Sequence, residues 1–71
     1  MMNTTYFKVS YVVEGGFYPG AIINMDKAPK TGDRVQFDGA EFIITELMEL
    51  MPPNGDFGFL HATCRFIRKT Q

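Results

Sequence analysis

The residues with chemistry to offer are one cysteine, one histidine and eight carboxylates. Nucleophilic catalysis needs a base within hydrogen-bond reach of the nucleophile and a third group to orient that base. Cys64 and His61 are the one pair close enough in sequence to test. Three residues apart on an extended strand, they point to opposite faces, which argues against a dyad. Cys64 reads instead as a small buried core residue. A single histidine and a single cysteine cannot complete a protein-only zinc site, so no metal is expected. Asp33, Asp38 and Glu41 flank one hairpin, where carboxylates serve turn chemistry, and no loop has the regular oxygen-ligand spacing of a calcium site. All three read as solvated turn residues, and Glu46 and Glu49 as surface charges. Neither Gly15-Gly16 nor Gly55-Asp56-Phe57-Gly58 opens a helix after a strand, so no phosphate cradle and no cofactor are expected. The chain is read as non-catalytic; an enzyme would need residues recruited from a second subunit.

The elements that position these residues follow from the hydrophobic pattern. From Tyr6 to Glu14 the period is two, with Phe7, Val9, Tyr11 and Val13 on one face and Tyr6, Lys8, Ser10 and Val12 on the other. Gly15-Gly16 then permits a reversal. Gly20 to Met25 reads as a second strand at a sheet edge, since Pro19 lacks an N–H. Asp26 to Gly32 is a polar surface loop. A third strand, Asp33 to Phe37, meets Asp38-Gly39, a type I′ hairpin signal that would set Phe37 opposite Ala40 and Val35 opposite Phe42. Glu41 to Leu50 fits a returning strand whose strict alternation would place Glu46 in line with Phe42 and Ile44. A bulge near Thr45 or Glu46 would return Leu47 to the interior. The competing reading is a helix, because Ile43, Leu47, Leu50 and Met51 recur at helical spacing. Pro52 to Asp56 breaks the segment. The last strand spans Phe57 to Arg68, with Leu60, Ala62, Cys64 and Phe66 on its smaller apolar face.

These readings add up to one small mainly-β domain over residues 1–71, with 1–4 and 69–71 frayed. The hairpin from Pro29-Lys30-Thr31-Gly32-Asp33-Arg34-Val35-Gln36-Phe37 through Asp38-Gly39 to Ala40-Glu41-Phe42-Ile43-Ile44 resembles those of SH3-like small barrels. Similar hairpins occur in OB-like barrels and in small phage connector proteins with SH3-like cores. The resemblance implies a five-stranded, partly open barrel built from antiparallel hairpins; it implies no function.

Composition narrows the partners. Seven basic against eight acidic residues give a net charge of −1, so the long-range attraction that draws basic proteins to phosphate backbones is missing. One cysteine supplies no disulfide framework, and a reducing cytoplasm fits best. The N-terminus lacks the basic start and apolar run of a signal peptide, and no apolar stretch is long enough to span a bilayer, so no membrane association is expected. Seven Phe and three Tyr exceed what so small a core can hold. Tyr6, Phe17, Tyr18, Phe57 and Phe59, with His61 and Arg65, are therefore the candidate partner-binding residues. On the bland alternative, Phe17 and Phe59 cap open barrel ends, His61 is a partly exposed strand residue and Met25, Met48 and Met51 fill core gaps. The expected partner is another protein or a second copy of the chain. A weaker alternative is nucleic acid, held by Arg65, Arg68 and Lys69 with nearby rings.

Overall fold

The computed structural model describes residues 6–51 and 56–71. Five strands, β1 (Tyr6–Val13), β2 (Ala21–Met25), β3 (Arg34–Phe37), β4 (Ala40–Met51) and β5 (Phe57–Lys69), form one mixed sheet in the order β2-β1-β5-β4-β3, curled into a half-barrel. The expected fraying at residues 1–4 and the reversal at Pro52 to Gly55 lie outside the described residues. Three neighbouring pairs are antiparallel. The fourth, β1 with β5, is parallel, which corrects the expectation of a sheet made from antiparallel hairpins alone. The reason is topological. The last strand enters between β1 and β4, and lying antiparallel to β4 leaves it parallel to β1.

The β3–β4 hairpin has the expected register, Phe37 opposite Ala40 and Val35 opposite Phe42. Asp38 (φ 56°) and Gly39 (φ 73°) both adopt the positive φ that a type I′ turn demands. The β4 segment is a strand, not a helix, and its pairing with β5 shifts between Ile44 and Glu46. Thr45 is the extra residue there. It turns Glu46 out to solvent and brings Leu47 against the core. The C-terminus is held longer than a frayed end would be: Lys69 closes β5, and the Thr70 N–H donates to the Gly39 carbonyl at 2.9 Å.

The concave side carries the core: Val9, Tyr11 and Val13 from β1, Leu60, Ala62 and Cys64 from β5, and Ala40, Phe42 and Ile44 from β4. Small Ala62 and Cys64 on the central strand leave room for the rings that arch over them. Phe37 stacks on Phe42 with centroids 4.3 Å apart, and Tyr11 meets Phe37 at 5.5 Å. The buried Tyr11 hydroxyl donates to Met25 Sδ at 2.8 Å, so burial leaves no orphaned donor. Gly20 (φ 80°) is needed at the start of β2, because a Cβ there would fall on the Tyr11 carbonyl oxygen.

Candidate functional site

Alternation along β1, β4 and β5 sends a second set of side chains to the convex face, away from the core. The register arranges them in rows. Tyr6 lies beside Phe57, Lys8 beside Phe59 and Met51, and Ser10 beside His61 and Met48. On the outer side of β1, Asn24 lies beside Lys8 and Ile22 beside Ser10. The Tyr6 and Phe57 rings stack with centroids 5.5 Å apart, and Lys8 Nζ sits 5.6 Å above the Phe57 ring, a cation–π geometry. Ile22 is 66% exposed and Met48 60% exposed, so this face carries apolar surface that no other described residue covers.

Four of the seven candidate residues, Tyr6, Phe57, Phe59 and His61, are thus brought together. Arg65 follows on the same face of β5 but farther along, opposite Ile43, and is exposed. Tyr18 and Phe17 lie elsewhere. Tyr18 folds onto the concave side, edge-on to Phe42 at 5.2 Å and stacked on Phe66 at 5.5 Å, so it and Phe59 belong to opposite sides of the sheet. Phe17, at the tip of the β1–β2 turn, is 89% exposed and caps nothing. The expectation that the methionines fill core gaps holds only for Met25. Met48 and Met51 stand out of the sheet, because the bulge at Thr45 resets the alternation of β4 and a second register shift between Glu49 and Met51 resets it again. Ile22 is a member of this face that the sequence does not single out, and Met48 and Met51 are members that it reads chiefly as core fill. Each strand's alternation is readable there, but only the register shows that they adjoin Phe59 and His61.

Glu46, Leu47, Met48, His61 and Thr63 line a shallow groove of about 170 Å³ at the edge of this face. His61 and Glu46 share it, yet no hydrogen bond joins them among the described residues. Thr45 Oγ1 borders it, within hydrogen-bond distance of Glu14 Oε2 (3.0 Å) and the Thr63 carbonyl (3.2 Å). His61 and Cys64 point to opposite faces, as strand parity requires. The Cys64 thiol is fully buried, and burial pushes its pKa up from 9.0 to about 11. Such a thiol stays protonated and unreactive at neutral pH. Among the described residues no three His, Cys, Asp or Glu side chains cluster as metal ligands would.

The acidic and basic residues near the C-terminus differ from expectation. Glu41 is not a solvated turn residue: it is buried, and Arg68 Nε donates to its Oε1 at 2.7 Å while Arg34 Nη1 lies 3.9 Å from Oε2. The hairpin register explains this, since Glu41 lies between Gln36 of β3 and Arg68 of β5 rather than at the turn. Arg68 is committed to that carboxylate, which leaves Arg65 and Lys69 of the basic cluster without that partner. Asp33 does serve its turn: its Oδ2 accepts from the Lys30 N–H at 2.9 Å.

No protein-family model, no curated protein and no solved structure matches this chain. The functional reading therefore stands on the surface itself.

Proposed function

We propose that this chain is a non-catalytic binding or assembly module of a reducing, cytoplasmic compartment, acting through protein–protein contacts or self-association. The observation that carries the reading is the convex face, where Tyr6, Phe57, Phe59, Met48 and Met51 adjoin one another on the side of the sheet away from the core. Aromatic rings held by neighbouring strands lose little freedom on binding, and exposed methionines adapt to a partner's shape. Lys8, Glu46 and His61 supply a polar surround that would orient the partner. A groove of about 170 Å³ falls below the roughly 300–1,000 Å³ of typical small-molecule pockets, which favours a macromolecular contact over a bound metabolite. An SH3-like or OB-like barrel architecture is part of the same proposal, supported by the β3–β4 hairpin with its Asp38-Gly39 turn.

Sedimentation across a concentration series, on the wild type and on Phe59→Lys and Met48→Lys, tests the face. The expected result is association that the two charged variants abolish while circular dichroism remains that of the wild type. Association unchanged by either variant would remove the convex face from the reading.

A further inference from the structure

The sheet is open, and its free edges differ. On β3 the edge carries Arg34 and Gln36. The outer side of β4 beyond Ile44 carries Glu46 and Glu49, which self-pairing would crowd with the same carboxylates of a second copy. Past Cys64, the outer side of β5 carries Arg65, Arg68 and Lys69. Charged side chains of this kind are the usual guard of a sheet edge. The β2 edge has none: Ala21–Met25 reads Ala-Ile-Ile-Asn-Met, with Ile22 66% exposed.

The direction of the β2 backbone groups follows from β1. Both Tyr6 N–H (3.3 Å to the Asp56 carbonyl) and Glu14 N–H (2.8 Å to the Cys64 carbonyl) donate toward β5. Even-numbered β1 residues therefore bond β5, and odd-numbered ones bond β2. With Val9 opposite Ile23 and no shift in register, Ala21, Ile23 and Met25 exchange bonds with β1. Ile22 and Asn24 then turn their N–H and C=O groups outward, where no strand among the described residues receives them.

We infer that β2 is a self-pairing edge, which joins β2 of a second copy of this chain in antiparallel fashion about a two-fold axis at Ile23. The inference rests on the reading above that the chain works through protein contacts, and it names the edge and the partner. Around that axis Ile22 of one copy faces Asn24 of the other, twice over, and each pair exchanges both outward hydrogen bonds. Ile23 meets Ile23 of the other copy as a non-hydrogen-bonded pair, covering the exposed part of both side chains. A second copy fits because the edge is uncharged and the pairing is self-complementary; like charges oppose such pairing at the β4 and β5 edges. The resulting contact is small and belongs to the weak class of interfaces.

Cross-linking and sedimentation together test it. A non-hydrogen-bonded pair brings opposed Cα atoms to about 4.5 Å, within disulfide reach. Oxidised Ile23→Cys is therefore expected to run as a covalent dimer, while Ile22→Cys, which faces Asn24, cross-links far less and the wild type, with Cys64 buried, not at all. Ile22→Lys and Asn24→Pro are expected to return the wild-type association to monomer. Asn24→Pro removes one outward N–H; Ile22→Lys keeps every backbone group and covers the case in which the proline variant fails to fold. A wild type that stays monomeric up to about 1 mM, the edge of measurable affinity, overturns the inference. So does association that survives Ile22→Lys, or efficient cross-linking of the Ile22→Cys variant with none of the Ile23→Cys variant. If Phe59→Lys abolishes association and Ile22→Lys does not, the convex-face reading stands and the edge inference falls. The reverse pattern, together with the Ile23→Cys cross-link, keeps the edge and removes the face.

Discussion

Glu41 shows how one charged side chain is made tolerable in a core of this size. Its carboxylate is buried against β3 and β5, and the 2.7 Å bond from Arg68 compensates the water it has lost. The Arg68 side chain itself is 63% exposed, so its loss hurts through Glu41 rather than through its own packing. Arg68→Ala is expected to lower stability by about 1–2 kcal/mol, because Arg34 at 3.9 Å is left as a distant partner. Adding Glu41→Gln to that variant should recover part of the loss, and urea denaturation of both reads the difference. A second residue-scale expectation concerns alkaline pH. Burial, then Cys64, then Asp33 raise the Tyr11 pKa from 10.0 to about 12, and burial raises Cys64 from 9.0 to about 11. An unfolded chain gives up these protons at lower pH than the folded one, so rising pH favours unfolding. The contribution is complete below pH 9 and is lost as pH climbs through about 11. The urea midpoint is expected to fall over that window, and less steeply in Cys64→Ala.

At the scale of elements, the bulge in β4 decides which side chains the strand presents. With Thr45 in place, Leu47 packs against the core and Met48 joins His61 on the convex face. Deleting Thr45 would remove the extra residue, so that Glu46 follows Ile44 directly, stays on the outer face and leaves Leu47 opposite Ala62. The expected result is a chain that keeps a cooperative urea transition. Thr45→Ala keeps the extra residue and loses only hydroxyl contacts, so its cost should stay below about 1 kcal/mol. A deletion that abolishes the cooperative transition would mean that Thr45 is not a dispensable extra residue in the ladder.

For the whole molecule, the governing fact is that the last strand is the central one. β5 pairs with β1 on one side and β4 on the other, so the sheet has no centre until the C-terminal residues arrive. Pairing Tyr6 with Phe57 and Val13 with Cys64 closes most of the chain into one loop. Contacts of such sequence separation carry a large closure entropy before any burial rewards them. Stopped-flow refolding is expected to be slow for this length, in the range of about milliseconds to seconds. Removing β5 should leave no folded remnant, measured by circular dichroism of a chain ending before Phe57. A folded remnant would mean that β1 to β4 make a core without it.

Much of this was legible in the residues. The alternation of Phe7, Val9, Tyr11 and Val13, the Asp38-Gly39 turn, the edge position of β2 and the bulge near Thr45 are local consequences of side-chain period and allowed φ. The burial of Cys64 and its separation from His61 follow from the same period. Three things needed the tertiary structure. Parallel pairing of β1 with β5 joins the two ends of the chain, which no local pattern encodes. The burial of Glu41 depends on Arg68, twenty-seven positions away. The convex face exists only because register sets Met48 and Met51 beside His61 and Phe59, and because curling takes Tyr18 to the other side. Local sterics decide which way each side chain points along its strand, whereas the neighbours it meets are decided by which strands pair.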